Sequence, residues 1–247
     1  MRLFQYWDTG SPPEEVAGWI EGFRAANSGM KHRLYDRASA SAFIGRRVGE
    51  RERRAFDALA VPAMQADYFR LCAMWAVGGV WVDADYQSKA PLKKLLRQAE
   101  GTLLQFWHGH IVTGVILARE PGDAFLRAGQ DLATVSIEAR APQSAYMSTG
   151  PGVLNAVRVI ADPCAFEEVV SQYRNIGQSV GGFEDLLDRA RATTQVTPEL
   201  EAAFKALTLI EVTAMKPWIA WKKPAYKQTG RHWQNWTGPQ YLDAPAG

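Results

Sequence analysis

The chain has 247 residues, 47% hydrophobic and 22% charged, with a formal net charge of +2. That is ordinary globular composition, and a net charge so close to zero leaves no electrostatic footprint for nucleic acid. The two cysteines, Cys72 and Cys164, are too few for a disulfide framework and point to a reducing compartment.

Met1–Asp8 lacks the apolar core of a signal peptide, and no run of eighteen apolar residues occurs. A cytoplasmic protein is expected, at most peripheral to the inner face of the membrane. Leu3–Trp7 reads as a short buried strand. Ser11-Pro12-Pro13-Glu14-Glu15 reads as a helix start, Ser capping and acids in the first turn, with Val16, Ile20 and Phe23 at helical spacing up to Ala26. Asn27-Ser28-Gly29 stops it before a second strand at His32–Tyr35. This β-α-β opening predicts parallel strands. Arg46–Arg54 carries five arginines against Glu50 and Glu52. It reads as a solvated helix face, the sharper alternative being a patch for an anionic lipid surface or phosphorylated acceptor.

Val61–Val77 is a helix with Met64, Tyr68, Leu71, Cys72 and Trp75 along one stripe, and Val80–Asp85 is the strand after it. Further on, a helix is expected over Leu92–Ala99, strands at Leu103–Trp107 and Ile111–Leu117, and a helix over Ala124–Ala139. His108-Gly109-His110 turns between the two strands. A zinc pair there lacks a third ligand, so a turn at the rim of the site is expected. Thr149-Gly150-Pro151-Gly152 opens a helix at Val153. Cys164–Phe204 is mostly helical, and Leu207–Thr213 is a late strand. From Lys216 onward the tail is rich in Trp and basic residues. It is too small for a core of its own, so it is expected to fold over a site.

The most informative stretch is Trp75–Asp85. A helix end meets Gly78-Gly79, and Val80-Trp81-Val82 then leads to Asp83-Ala84-Asp85. Carboxylates at i and i+2 share a face of an extended strand. At the carboxyl end of a strand beside a parallel sheet, such a pair suits Mg²⁺ or Mn²⁺ held against a diphosphate. Upstream, Asp67 and Arg70 lie at i and i+3, on one face of a mostly apolar helix. They read either as an intrahelical ion pair of small worth or as a hydrogen-bonding fork for sugar hydroxyls.

Ala66-Asp67-Tyr68-Phe69-Arg70, Trp75 and Gly78-Gly79-Val80-Trp81-Val82-Asp83-Ala84-Asp85 resemble the signature of DXD glycosyltransferases. This is the group of the yeast-type α-1,6-mannosyltransferases, bacterial capsular and lipopolysaccharide sugar transferases and, distantly, the clostridial glucosylating toxins. Phe4-Gln5-Tyr6-Trp7 with Pro12-Pro13-Glu14, Thr149-Gly150-Pro151, and His232-Trp233-Gln234-Asn235-Trp236 resemble other elements of that family. The resemblance implies an α/β GT-A fold: a Rossmann-like mixed central sheet flanked by helices, with additional helices in the C-terminal half. It implies one domain over residues 1–247, with a less specific helical region at about 160–206 and a tail at 216–247. The implied cofactor is Mn²⁺ or Mg²⁺. The implied partners are a UDP- or GDP-sugar donor and a glycan, glycolipid or protein acceptor.

The resemblance also implies residue roles. Asp83 and Asp85 bind the metal, with His232 or Asn235 completing its shell. Asp67 and Arg70 hold the donor sugar and diphosphate, and Gln5, Trp7, Asp83 and Trp236 complete the donor site. Asp83, Asp85 and Arg70 carry the catalysis. Two departures stand out. Asn235 replaces the Ser usual before the closing Trp, and Val112-Thr113-Gly114 lacks an Asn common in relatives. Trp7 suits either base stacking or the core, while Lys222, Lys223 and Lys227 suit either the leaving diphosphate or a solvated tail. A metal-dependent phosphohydrolase or nucleotidyl-transfer enzyme also uses paired Asp, but Asp83–Leu104 adds only Glu100. A silent carbohydrate-binding module with this fold would not need Asp67, Arg70, Asp83 and Asp85 together.

Overall fold

In this computed structural model, which describes residues 1–97, 100–222, 224–230 and 232–242, the chain opens with β1 (Arg2–Tyr6), α1 (Glu14–Ala26) and β2 (Lys31–Tyr35). β1 and β2 are parallel, paired from Arg2 opposite Lys31 to Tyr6 opposite Tyr35. There follow α2 (Arg37–Arg47), α3 (Glu50–Asp57), α4 (Pro62–Val77), β3 (Gly79–Val82), β4 (Tyr86–Ser88), α5 (Lys93–Leu96), β5 (Thr102–Trp107) and β6 (His110–Ala118). The C-terminal half adds α6 (Ala124–Glu138), α7 (Ala145–Ser148), α8 (Pro151–Ala161), α9 (Phe166–Asn175), α10 (Val180–Thr193), α11 (Pro198–Lys205), β7 (Thr208–Glu211), α12 (Val212–Met215) and β8 (Ile219–Trp221).

Six strands form one mixed sheet in the order β2-β1-β3-β6-β5-β7, while β4 and β8 pair separately. β1 is parallel to both β2 and β3, and β6 runs antiparallel to β3 and β5. This is the helix-flanked mixed sheet expected of the resemblance. Both faces of β1 are covered. Phe4 and Tyr6 join the larger core with α2, α4, α6 and α8, while Leu3 packs with Phe23 of α1, Val80 and Val82. Burial on two faces explains why β3 reads as a continuous apolar run instead of alternating. From β1 the chain crosses by way of α1 to β2 on one side, and it returns to β3 on the other. A sheet with that order has its crevice at the carboxyl ends of β1 and β3.

Several local expectations are corrected. Ser11 does not cap α1; Pro13, extended at φ −53° and ψ 152°, is its N-cap. Each proline biases the residue before it toward extended backbone, so the helix starts only after the second. The helix expected over Leu92–Ala99 is one turn, Lys93–Leu96, enough to bury Leu92, Leu95 and Leu96; Ala99 lies outside the described residues. The late strand ends at Glu211, and Val212–Met215 is helical. The Arg46–Arg54 run is split between α2 and α3, where Arg51 pairs with Glu138 and Arg53 with Glu50 and Asp57. His108 and Gly109, at φ 46° and 97°, make the two-residue turn that suits a twisted hairpin. That turn is not at the rim of the cavity described below. His110 is buried against Tyr173 instead.

Gly78 and Gly79 are needed by geometry. They sit at φ 62° and 117°, and a Cβ on either would come within 2.8 Å of a backbone oxygen, Ala118 O or Arg2 O. Only glycine lets α4 turn into β3 while β3 is wedged between β1 and β6.

Candidate functional site

A cavity of about 560 Å³ opens in that crevice, lined among others by Trp7, Asp67, Arg70, Asp83, Asp85 and Lys227. Three groups of elements build it. The ends of β1 and β3 bring Tyr6-Trp7-Asp8 and Asp83-Ala84-Asp85. Helix α4 brings Ala66, Asp67 and Arg70. The strand β6 and the tail close the rest, with Thr113, Gly114, Trp221, Tyr226, Lys227 and His232.

Helix α4 is buried nearly all round, from Met64 to Met74, so its one charged pair points where the structure can satisfy it. Arg70, 5% exposed, is the hub. Its Nη2 lies 2.6 Å from Asp67 Oδ1 and 3.1 Å from Asp83 Oδ1. Its Nη1 donates to the carbonyl and hydroxyl oxygens of Thr113 at 2.5 and 2.6 Å. The guanidinium also stands 5.2 Å from the centre of the Trp81 ring. Of the two readings of Asp67 and Arg70, the intrahelical pair exists, but it is half of a larger bridge from α4 to the Asp-x-Asp turn and to β6.

That turn begins where β3 stops at Val82, so Asp83 and Asp85 do not stand on an extended strand as expected. They occupy a turn closed by Tyr86 N–H donating to Asp83 O at 3.1 Å. Asp83 is fixed from two more sides: its N–H donates to Gly114 O at 2.8 Å, and Trp81 Nε1 donates to its Oδ1 at 2.8 Å. Burial raises the Asp83 carboxyl above the usual carboxylate range. Arg70 opposes this, and the neighbouring Asp85 and Asp67 add to it. Burial also raises Asp67, again opposed by Arg70. The carboxylate of Asp85 pairs with the Lys227 ammonium.

Gly114 permits this arrangement by close approach. A Cβ there would stand 2.3 Å from Tyr86 Oη and 2.8 Å from two ring carbons. Tyr86 crosses β6 at that point and donates to Gln105 Oε1 at 3.2 Å. β4 then pairs with β8, Tyr86 opposite Trp221, and Lys222 N–H donates to Asp85 O at 3.3 Å. The first part of the tail is therefore laddered onto the segment that carries the carboxylates.

The sequence candidates divide as follows. Trp7, Asp67, Arg70, Asp83, Asp85 and His232 line one cavity. Trp7 meets Tyr226 edge to face, ring centres 5.0 Å apart. Burial and the nearby Lys227 cation lower the basicity of the His232 imidazole. Gln5, Asn235 and Trp236 do not line it. Gln5 is fully buried with its Oε1 2.9 Å from His32 Nε2 of the neighbouring strand β2. Asn235 spends its amide on Lys227 O and Thr229 O, at 2.9 and 3.3 Å. Trp236 Nε1 donates to Pro239 O at 3.1 Å. Lys223 lies outside the described residues. Tyr86 and Trp221 are cavity residues that the sequence did not single out, and Thr113, noted there only as part of a departure from relatives, lines the cavity as well. The two threonine oxygens that Arg70 needs follow from β6 lying beside β3, which no local pattern encodes.

The donor set suits a hard divalent cation that keeps waters and phosphate oxygens as ligands. One or two carboxylates are enough for such an ion when a substrate phosphate supplies the rest. Among the described residues, no group of three or more His, Cys, Asp or Glu is placed to hold a metal alone. Also among these residues, no helix is long and apolar enough to cross a membrane.

Residues 5–102 match the family model described as a glycosyltransferase sugar-binding region containing a DXD motif. That range holds Asp67, Arg70, Asp83 and Asp85, and it supports a DXD glycosyltransferase. No curated protein matches the chain. A solved structure described as PaToxG glycosyltransferase is similar at 13% identity, covering 83% of this chain and 84% of that one, with a TM-score of 0.47.

Proposed function

Starting from the glycosyltransferase region matched over residues 5–102, we propose that this chain is a single GT-A domain. It moves a sugar from a UDP- or GDP-sugar to a hydroxyl of a glycan, glycolipid or protein acceptor, with retention of configuration. The reading includes a cytoplasmic location with at most peripheral membrane contact. The observation that carries it is the Arg70 bridge between Asp67 and Asp83, in the same cavity as Asp85. The fork supports this reading because a carboxylate held by a guanidinium can accept from the adjacent hydroxyls of a sugar.

In this reading Trp7 and Tyr226 bound the nucleoside end of the donor, with the base against the Trp7 ring. Asp67 accepts hydrogen bonds from donor-sugar hydroxyls, and Arg70 holds that carboxylate in place. Asp83 and Asp85 would hold Mn²⁺ or Mg²⁺, with His232, which lines the same cavity, as the candidate for a further ligand. When bound, that cation offsets the negative charge that builds on the diphosphate as the sugar–phosphate bond breaks. Arg70 adds a fixed positive charge that needs no reorganisation during the step. The tail residues Trp221, Tyr226 and His232 narrow the mouth and exclude water, which favours an acceptor hydroxyl over hydrolysis.

The test is thermal shift with UDP and GDP, each with and without Mn²⁺. Stabilisation by one nucleotide, dependent on Mn²⁺ and absent in Asp85→Asn, supports the reading. Stabilisation by neither nucleotide sinks it.

A further inference from the structure

The Asp-x-Asp turn already carries two cations of the protein. Asp83 Oδ1 is taken by Arg70 and Trp81, and Asp85 is taken by Lys227. These two cations differ in how they are held. Arg70 sits on a buried helix with four polar contacts. Lys227 sits on a one-turn 3₁₀ segment, Ala225–Gln228, with 17% of its side chain exposed. That segment is built locally: Lys227 N–H donates to Pro224 O at 3.0 Å, and Asn235 caps Lys227 O. The ammonium also stands 4.6 Å from the centre of the Trp221 ring. Trp221 belongs to β8, which is laddered to the strand that follows Asp85. The lysine is thus delivered to Asp85 by two independent constraints, and its four-carbon stem leaves the charged end free to swing.

From this geometry we infer that Lys227 is an exchangeable counter-ion, paired with Asp85 until a nucleoside diphosphate and a divalent cation arrive together, and then transferred to the diphosphate oxygens. The inference rests on the donor-binding reading above. Asp85 cannot give its oxygens fully to a divalent cation while an ammonium is paired with it, since like charges at that distance repel. A diphosphate gives the displaced ammonium a new anionic partner in the same cavity. The consequence is linkage. Metal alone binds weakly because it must displace Lys227, and metal and nucleotide each strengthen the other.

The test uses the full chain with Mn²⁺, UDP and GDP as probes, and it does not depend on turnover. Manganese affinity is read by electron paramagnetic resonance without nucleotide, and nucleotide affinity by calorimetry with and without Mn²⁺. Lys227→Met keeps most of the length of the side chain and removes the charge. It is expected to bind Mn²⁺ alone on the order of tenfold more tightly than the wild type, and UDP or GDP in saturating Mn²⁺ several-fold more weakly, so the coupling shrinks. Lys227→Arg, which keeps the charge, is expected to stay near the wild type, and it serves as the second variant should Lys227→Met unfold. Unchanged or weaker Mn²⁺ binding by Lys227→Met overturns the inference, even if the wild type binds nucleotide as proposed. Nucleotide affinity of the wild type that is the same with and without Mn²⁺ also overturns it, because the two ligands would then not be coupled. If no nucleotide binds to either protein, the functional reading fails by itself. The manganese arm still decides whether Lys227 competes for Asp85.

Discussion

Replacing Arg70 by lysine conserves charge and removes geometry, which makes it the most discriminating single substitution. The guanidinium serves four acceptors at once: Asp67 Oδ1, Asp83 Oδ1, Thr113 O and Thr113 Oγ1, all between 2.5 and 3.1 Å away. One ammonium has three donors on a single atom and cannot reach around this set. If two of the four contacts are lost at about 1.5–3 kcal/mol each for hydrogen bonds to a charged group, the site loses roughly 3 kcal/mol or more. In a chain of this length about 1 kcal/mol shifts the unfolding midpoint by about 2–4 °C, so a drop on the order of 10 °C is expected for Arg70→Lys. The measurement is thermal unfolding followed by circular dichroism, alongside UDP and GDP affinity and donor turnover. Turnover is expected to fall far more than nucleoside diphosphate affinity, since the fork serves the sugar and the developing charge. A midpoint within about 2 °C of the wild type, with turnover intact, would refute the bridge as the organising feature of the cavity.

Three further outcomes are expected. Gly114→Ala forces its Cβ against Tyr86 Oη and ring; it should cost about 1–3 kcal/mol by overpacking and weaken nucleotide binding, and Tyr86→Phe in the same chain should restore part of both, measured by denaturant unfolding and calorimetry. Trp7→Ala should weaken UDP or GDP binding by about 0.5–1.5 kcal/mol, the usual worth of an aromatic contact beyond its area; unaltered affinity would assign Trp7 to packing against Tyr226 alone. The third concerns His110, fully buried, whose pKa burial lowers to about 4. Because the unfolded imidazole takes its proton near 6.5, His110 contributes stability that is present above that pH and lost as pH falls toward 4. The loss is about 1 kcal/mol at pH 5.5 and about 3 kcal/mol below pH 4. His110→Asn should flatten that part of the denaturation profile, and an unchanged profile would contradict the assignment.

The parts of the site visible in the sequence are those encoded locally. Asp67 and Arg70 share a face because they lie at i and i+3 on a helix, and the Gly-Gly break marks where α4 gives way to β3, although the strand stops at Val82 and not at Asp85. The two conformational necessities, Gly78 and Gly79, were legible for the same reason. The partners that complete the site were not. Thr113 reaches Arg70 only because β6 pairs with β3, and Lys227 reaches Asp85 only because β8 pairs with β4 across more than a hundred residues. Neither pairing leaves a period or spacing in the chain. Asn235 and Trp236 are engaged outside the cavity in this structure. Their residue types suit a metal shell and a stacking wall, but here Asn235 bonds Lys227 O and Thr229 O of the preceding segment, and Trp236 bonds Pro239 O. Gln5 was placed correctly on its strand, but on the side that faces His32 and not the cavity.

The most direct measurement of the central reading is the product released from nucleotide sugars. Purified protein with Mn²⁺ is incubated with UDP-sugars and GDP-sugars, and the nucleotide products are separated. Breaking the sugar–phosphate bond releases UDP or GDP, and this release is expected from the wild type and lost in Asp85→Asn, which retains its fold. Release of UMP or GMP would instead mean attack at phosphorus, the chemistry of a phosphohydrolase or nucleotidyl-transfer enzyme, and it would contradict the assignment.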